Sequence, residues 1–378
     1  GIGASAGGLA AFEAFFQGMP ADADPGMAFV LVQHLAPDHK SLLSELIRRC
    51  TRMPVFEVDD GVVVQPNCVY IIPPNHDMAF LNGTLQLLEP SAPRGQRLPI
   101  DFFFRSLAQD QGQRAIGIVL SGTGSDGTQG VRAIKGEGGM VMAQDPGSTE
   151  FDGMPLSAIA TGLVDYQLPP AEIPARLAAF ARHAFGHARA AAAVEAPQAE
   201  TALKKIFVLL RSQTGHDFSQ YKPSTINRRV ERRMAVHQID VLESYVRFLQ
   251  QTPAEVEALF RDLLIGVTNF FRDPEVWEEL KTEVMPALLA RATPGVPLRA
   301  WVVGCSSGEE AYTLAMVFAE AVAALPKPAI EPPPTMQIFA SDLSAQAIAV
   351  ARRGLYSHKI ASDVSPERLQ RFFRPQGS

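Results

Sequence analysis

The chain has 378 residues and a formal net charge of -6, with 47% hydrophobic and 20% charged residues. These values are typical of a globular protein with two or three domains, and they argue against a basic nucleic-acid-binding protein. No apolar run approaches the ~20 residues that a membrane helix requires. The three cysteines, Cys50, Cys68 and Cys305, form no CxxC pair, which argues against a disulfide framework or a zinc site and favours a reducing cytosol. We therefore expect a cytoplasmic protein that neither binds nucleic acid nor inserts into a membrane.

Residues 1–182 alternate between strand-like and helix-like patterns. The apolar runs 28–32, 115–120 and 139–143 are of the buried-strand type, and residues 9–16, 40–50 and 127–136 have helical spacing. Asn82-Gly83 lies between two strand-like runs and supplies the positive φ angles of a type I′ hairpin turn. The alternation predicts an α/β domain, doubly wound around a mostly parallel sheet, with one hairpin.

Three further segments follow this domain. Residues 183–201 are alanine-rich without a clear apolar stripe and predict a partly helical linker, whereas residues 202–290 predict an all-helical domain. Residues 291–378 contain one strand–helix–strand unit, which predicts part of a Rossmann-like domain. Because no strand-like run precedes the turn at Gly1, and the chain stops soon after that last unit, we expect a chain cut at both ends.

A serine occupies the first glycine-rich turn, residues 1–8 (GIGASAGG). Small residues allow a sharp turn in which Ser5 stands exposed at the carboxyl edge of the sheet, beside backbone N–H groups that suit an oxyanion or a phosphate. The turn also matches the GxGxxA form of the dinucleotide fingerprint, which needs an acidic residue at the end of the next strand. His34 stands there instead. Base catalysis is therefore favoured, and a nucleotide-binding module without catalysis is the alternative.

A third strand end carries an aspartate. The loop after the 115–120 strand contains Asp126, so Ser5, His34 and Asp126 would meet in one crevice at the carboxyl edge. A histidine can take the proton of a serine nucleophile, and an aspartate can orient the histidine, while amides of the 121–125 loop suit an oxyanion hole. Taken singly, a serine in a glycine turn is usually structural, while His34 could equally be a core histidine and Asp126 a helix cap. The spacing of His34 and His39 does not place both on one helix face, so no metal is expected.

The first half resembles the catalytic domain of the chemotaxis methylesterase family (CheB-type). The resemblance rests on GIGASAGG, VQHLAPDHKSLLSELI, VYIIPPNHDM and IVLSGTGSDGTQGVRAIKGEGG, which occur in order through residues 1–180. It implies that Ser5 is the nucleophile, His34 the general base and Asp126 the orienting acid. The family usually has a threonine after the serine, where this chain has Ala6.

Two features of the second half are candidates for binding. Arg228, Arg229, Arg232 and Arg233 share one face of a predicted helix, which indicates either a solvated charged face or a docking surface for an acidic partner helix. Farther along, the turn 304–310 (GCSSGEE) follows a strand and precedes a helix, and Asp342 ends the next strand. A glycine turn with a strand-end acid is the general arrangement for a nucleoside-bearing cofactor, since the carboxylate takes ribose hydroxyls.

Residues 203–375 resemble the chemotaxis receptor methyltransferase family (CheR-type). The resemblance rests on GVTNFFRD at 266–273, VVGCSSGEEAYTLAM and ASDLS. It implies S-adenosylmethionine bound by Thr268, Arg272, Glu309 and Asp342, with the arginine helix docking on the cytoplasmic helices of methyl-accepting receptors. The family's later strands would fall beyond Ser378, so this region is expected to be incomplete.

Together these observations predict a methylesterase, without a cofactor, that hydrolyses glutamate methyl esters on receptors and is fused to a receptor methyltransferase region. Deamidation of receptor glutamine by the same acyl chemistry is a further expectation from the resemblance. A hydrolase of small esters unrelated to signalling is a second rival, and it predicts turnover of simple esters at least as fast as that of a methylated receptor helix.

Overall fold

The computed structural model describes residues 1–20, 25–34, 43–90, 97–186, 196–264, 266, 268–325, 333–357, 360–361 and 363–376. The chain divides into two compact units, Gly1–Ile265 and Gly266–Ser378. No helix in the described residues is long and apolar enough to span a membrane.

The first unit is built around a seven-stranded sheet in which every paired strand is parallel. Its strands, in spatial order, are β10 (Tyr166–Leu168), β9 (Met140–Gln144), β8 (Ile116–Val119), β1 (Ile2–Ala4), β2 (Phe29–Gln33), β5 (Val69–Ile71) and β3 (Val55–Glu57). The expectation that no strand precedes the first turn is wrong, because Ile2–Ala4 is itself the central strand. The apolar runs read from the sequence became β2, β8 and β9, each buried on both faces as a parallel sheet requires.

Helices cover both faces of this sheet. They are α1 (Gly8–Gln17), α2 (Leu43–Cys50), α3 (Pro99–Gln111), α4 (Thr128–Gly136), α5 (Gly153–Ile159) and α6 (Ile173–Ala181). One core lies under α1, α2 and α6 and includes Phe12, Ile47 and Phe180. The other lies under α3, α4 and α5 and includes Phe104 and Ile134. The doubly wound α/β architecture is thus confirmed.

A small antiparallel sheet accompanies the main one. It consists of β4 (Val62–Val63), β7 (Thr84–Leu88) and β6 (Asp77–Leu81). Asn82 and Gly83 join β6 to β7 with φ angles of 49° and 77°. Both values are positive, as a type I′ turn demands, so the predicted hairpin is confirmed.

In the described part of the chain, four helices complete the first unit: α7 (Ala196–Thr214), α8 (Pro223–His237), α9 (Leu242–Gln251) and α10 (Pro253–Leu263). They enclose a core that includes Ile206, Leu210, Phe218, Tyr245 and Leu259. Of the predicted linker, residues 187–195 lie outside the described part of the chain, and α7 begins before its predicted end.

The second unit starts with α11 (Pro274–Glu279) and α12 (Met285–Ala290) and continues with β11 (Leu298–Val303), α13 (Glu309–Ala323), β12 (Met336–Ser341), α14 (Ala345–Arg353) and α15 (Pro366–Phe372). β11 and β12 pair in parallel from Leu298↔Met336 to Val303↔Ser341. This is the strand–helix–strand unit that the sequence predicts.

Candidate active site and cofactor site

The carboxyl ends of three neighbouring strands bring the predicted serine, histidine and aspartate to one edge of the main sheet. Ser5 follows β1, and His34 follows β2. The two strands are paired with Ala4 beside Gln33, so Ser5 and His34 come next in that register. On the other side of β1, the Ser5 N–H donates to the carbonyl of Ser121 at 2.9 Å, which ties the serine to the loop that carries Asp126.

The turn after Ser5 is shaped by glycine. Gly7 caps α1 with φ 73°, and a Cβ there would lie 2.5 Å from the Ser121 Oγ. Both the backbone conformation and the lack of space require glycine at this position. The Gly8 N–H closes the turn by donating to the Ser5 carbonyl at 2.9 Å. The half-buried serine thus stands at the amino end of a helix, where backbone N–H groups favour negative charge.

A second close approach occurs at Gly122, on the facing loop. A Cβ at Gly122 would lie 3.0 Å from the Cβ of Ser5 and 2.2 Å from the Met154 Sδ. Only a residue without a side chain lets this loop reach the serine. The Gly122 N–H is already committed to the Phe151 carbonyl at 2.9 Å, and the amides of Thr123 and Gly124 have no acceptor among the described residues.

His34 and Asp126 form a direct pair. The His34 Nε2 lies 2.7 Å from the Asp126 Oδ2, with the histidine side chain 37% exposed and that of the aspartate 3% exposed. Among the described contacts, no hydrogen bond joins His34 to the Ser5 Oγ; such bonds are often long without substrate. Since Nε2 faces the carboxylate, Nδ1 is the ring nitrogen left for the serine.

Asp126 is held by the amino ends of two helices. Its carboxylate accepts hydrogen bonds from the N–H groups of Ile100 at 3.0 Å and Asp101 at 2.9 Å, in the first turn of α3, and from its neighbour Gly127 at 2.8 Å, which caps α4. Amide donors and helix dipoles favour the charged carboxylate. The aspartate is therefore buried, oriented and able to fix the histidine.

In the second unit, the glycine turn and the strand-end acid also come together. Gly304 follows β11 with φ 72°, and nothing lies within 4 Å of the position of a Cβ on it. Asp342 follows the neighbouring β12, and its carboxylate accepts the N–H groups of Ser306 at 2.8 Å and Ser344 at 2.7 Å. Glu309 begins α13 and accepts the Ser307 hydroxyl at 2.7 Å. Two oriented carboxylates therefore flank an open turn.

The segment with the other two predicted cofactor residues passes the same turn. A Cβ at Gly266 would lie 2.4 Å from the Ser306 Oγ, and the Phe271 N–H donates to the Thr313 Oγ1 at 3.3 Å. Thr268 is half-buried between these anchor points, while Arg272 is exposed and its carbonyl accepts the Trp277 indole N–H. Carboxylates, a hydroxyl and a glycine turn suit a ligand that carries ribose hydroxyls and an amino group.

The predicted basic docking face is different in the structure. Arg229, Arg232 and Arg233 are only 6%, 6% and 7% exposed, because this face of α8 points toward the interior of the first unit. Arg229 donates to the backbone carbonyl of Lys135 and Arg232 to that of Gly139, both in the part of the unit that contains the parallel sheet. Arg233 pairs with Glu255. The prediction of a docking surface is therefore wrong for these three side chains as they are arranged here. Arg228 is half-buried.

The acidic partners of these arginines were not foreseen. The side chains of Asp165, Glu255 and Asp262 are all buried, as is that of Lys135, which lies 2.5 Å from the Asp165 Oδ1. Nothing in the local sequence distinguishes these acids from surface carboxylates. The only available signal was the number of cations on one helix face, which indicates that some anion must face it.

The first unit belongs to the class of α/β proteins that present a serine, a histidine and an aspartate at the carboxyl edge of a parallel sheet. Residues 1–177 match the model of the CheB methylesterase family. Residues 201–264 match the all-alpha domain of CheR methyltransferase, and residues 266–378 match its SAM binding domain. The first half of the chain therefore carries a CheB methylesterase domain, and the second half carries the all-alpha and SAM binding domains of a CheR methyltransferase.

The chain is also similar to individual proteins, over different shares of their length. An uncharacterized 104.1 kDa protein of Rhodobacter capsulatus is 40% identical over 358 residues, which cover 89% of this chain and 37% of that protein. The protein-glutamate methylesterase/protein-glutamine glutaminase 1 of Myxococcus xanthus is 37% identical over 185 residues, 48% of this chain and 53% of that protein. The solved CheB methylesterase catalytic domain of Thermotoga maritima is 31% identical, with a TM-score of 0.43, and covers 47% of this chain and 95% of that one.

Proposed function

We propose that the first half of the chain hydrolyses glutamate γ-methyl esters on chemotaxis-type receptor proteins. The observation that carries this proposal is the His34–Asp126 pair, placed beside Ser5 at the edge of the sheet. It is supported by the match to the CheB methylesterase model and by relatives whose names are those of methylesterases. The nucleotide-binding alternative needs a ribose-binding acid at the end of the second strand, and His34 at that position argues against it.

The reaction follows from the roles of the three residues. The Ser5 Oγ attacks the ester carbonyl carbon while the His34 Nδ1 takes its proton, and the Asp126 carboxylate stabilises the resulting imidazolium. The oxyanion is met by backbone N–H groups, for which Thr123 and Gly124 are the candidates. Collapse of the tetrahedral intermediate releases methanol, which takes the proton from Nδ1.

Water then completes the cycle. It attacks the acyl–serine carbonyl, gives a proton to His34, and leaves a glutamate side chain and the free Ser5 hydroxyl. A glutamine side chain in place of the ester would release ammonia by the same steps, which is the glutaminase reaction in the names of the relatives.

The test is methanol release from a carboxyl-methylated receptor cytoplasmic fragment. We expect Ser5→Ala to lower the rate about 10³-fold or more, whereas Ser212→Ala, on the exposed surface of α7, leaves it unchanged. Near-normal release from Ser5→Ala would exclude the serine mechanism. Simple acyl esters serve as the second substrate, since turnover of these at rates above those on the receptor fragment would favour a general esterase.

For the second half we propose S-adenosylmethionine binding at the turn after β11. Asp342 would take the ribose hydroxyls, and Glu309, Thr268 and Arg272 would complete the pocket. The bound cofactor supplies an activated methyl group for transfer to a receptor glutamate. The domain limits that go with this proposal are 1–182, a linker over 183–201, 202–290 and 291–378. Titration calorimetry with S-adenosylmethionine tests it, and the absence of saturable binding would overturn it.

A further inference from the structure

The arginine face of α8 packs against the part of the chain that matches the methylesterase, although α8 itself belongs to the methyltransferase match. Ala235 and Val236 of α8 are buried in the same core as Met140 and Phe180. The Tyr166 hydroxyl donates to the Val236 carbonyl across this contact. The segments 1–177 and 201–264 lie in one compact unit for this reason.

A buried network of charges joins the two segments beside that apolar contact. Arg232 pairs with Asp165 of residues 1–177, the esterase segment, and with Asp262 of α10. Lys135 of α4 approaches the same two carboxylates. The nearby charges of Arg232 and Lys135 outweigh burial and hold the pKa of Asp165 well below its usual range. Burial lowers the pKa of Lys135 to about 8, against the opposing pull of the carboxylates. Each of these charged groups therefore has an oppositely charged partner, either in its own segment or in the other one.

This network contains more cations than carboxylates, and the additional cation binds the carboxyl end of α4. Arg229 has no carboxylate partner among the contacts described; its guanidinium donates to the carbonyls of Lys135 at 3.0 Å and Gly136 at 2.9 Å. These are the last two residues of α4. A cation at the carboxyl end of a helix is stabilised by the unpaired carbonyls and by the helix dipole. Arg232 donates to the Gly139 carbonyl just beyond, at 3.0 Å.

The opposite end of α4 lies at the catalytic aspartate. Asp126 and Gly127 immediately precede the helix, and Gly127 caps it. At 1.5 Å per residue, a nine-residue helix is about 13 Å long and moves as a rigid body. A displacement of its carboxyl end is therefore transmitted to Asp126, unless the bonds from Ile100 and Asp101 alone can hold that carboxylate in place.

We propose that Arg229 is a positioning residue for the esterase: by clamping the carboxyl end of α4, it sets the position of Asp126 relative to His34. This inference rests on the proposed function. It makes the arginine face of α8 a docking surface for the esterase segment of the same chain, and it makes the all-helical segment a part of the esterase machinery. Arg229 is the cleanest residue to perturb, because its partners are backbone carbonyls and its removal strands no buried carboxylate.

The experiment compares Arg229→Met with Arg229→Lys, and with Arg247→Met on the exposed surface of α9 as the control. Methanol release from the methylated receptor fragment gives kcat and KM, and amide hydrogen exchange reports on α4. For Arg229→Met we expect kcat to fall roughly tenfold, as for a sub-ångström misplacement of a catalytic group, with KM within about twofold. Exchange in α4 should become faster. Arg229→Lys should recover most of kcat, and Arg247→Met should match the wild type.

Two results would overturn the proposal. The first is faster exchange in α4 with unchanged kcat, which would mean that the clamp exists but does not reach Asp126. The second is an Arg229→Met protein that equals Arg247→Met in both measurements. If Arg229→Met does not fold, Arg229→Gln replaces it with the same expectations. Ser5→Ala in the same assay separates the two levels: if it retains activity, the esterase assignment itself has failed, whatever Arg229 does.

Discussion

Replacing Asp126 by asparagine tests the candidate site with a minimal change in shape. The Asp126 Oδ1 accepts two backbone N–H groups, from Asp101 and Gly127, and the Oδ2 accepts one from Ile100 besides contacting the His34 Nε2. An amide has only one oxygen. Because two rigid helix amides point at the Oδ1 position, the oxygen of Asp126→Asn must stay there, and the NH₂ group must take the Oδ2 position.

This placement exchanges the protonated and unprotonated ring nitrogens of His34. The NH₂ group can only donate, so it requires a lone pair on the His34 Nε2 and drives the ring proton to Nδ1, the nitrogen that should receive the serine proton. Loss of the correct tautomer costs about 10⁴ in kcat in the serine-protease triad. We expect a decrease of 10³-fold to 10⁴-fold here. The Ile100 N–H also loses its acceptor, which should destabilise the fold by about 1–3 kcal/mol.

The assay is methanol release from the methylated receptor fragment, with the unfolding transition followed in parallel by circular dichroism. Asp60→Asn is the matched control, since Asp60 is an exposed carboxylate that accepts a backbone N–H from Leu87 at 2.8 Å, away from the site. A folded Asp126→Asn protein with kcat within tenfold of the wild type would refute the assigned role of the carboxylate.

Burial raises the pKa of Glu255, but hydrogen bonds from His237 and Arg233 outweigh burial and lower the pKa from 4.5 to about 2. The stability that this carboxylate contributes is therefore present above about pH 4.5 and is lost as the pH falls toward 2. Acid unfolding of Glu255→Gln should thus be flatter over that range than that of Glu257→Gln, an exposed change on the same helix, and equal curves would contradict the pKa. Gly122→Ala places a methyl group 3.0 Å from the Ser5 Cβ, so we expect at least a tenfold loss of esterase activity. Gly147→Ala is the control and should spare the activity, because a Cβ there would lie no closer than 3.5 Å to its neighbours. An active Gly122→Ala enzyme would show that the loop can retreat. Asp342→Asn should weaken S-adenosylmethionine binding about tenfold or more in calorimetry, relative to the exposed Glu275→Gln, and unchanged affinity would remove Asp342 from the cofactor site.

The sequence predicted three of the seven strands of the main sheet, β2, β8 and β9, for physical reasons. Apolar runs such as Phe29–Gln33 are required wherever a parallel strand is covered on both sides, and a polar–glycine pair such as Asn82-Gly83 has few conformations besides a tight turn. The central strand Ile2–Ala4 escaped notice because three residues, one of them glycine, carry no periodic signal. Helical spacing correctly placed the four arginines on one face of α8. It could not tell whether solvent or another domain lies opposite, because that depends on contacts between residues nearly a hundred positions apart.

The sharing of one core between α8 and the parallel sheet has a practical consequence for dissecting this protein. An isolated fragment ending near residue 182 would lose Ala235 and Val236 from its interior. It would also leave the Lys135–Asp165 pair facing water without Arg232. Such a fragment would expose a fresh apolar surface and should be prone to self-association. The natural place to cut this chain is therefore at the junction of the two compact units, near residue 265, and not at the limit of the esterase match.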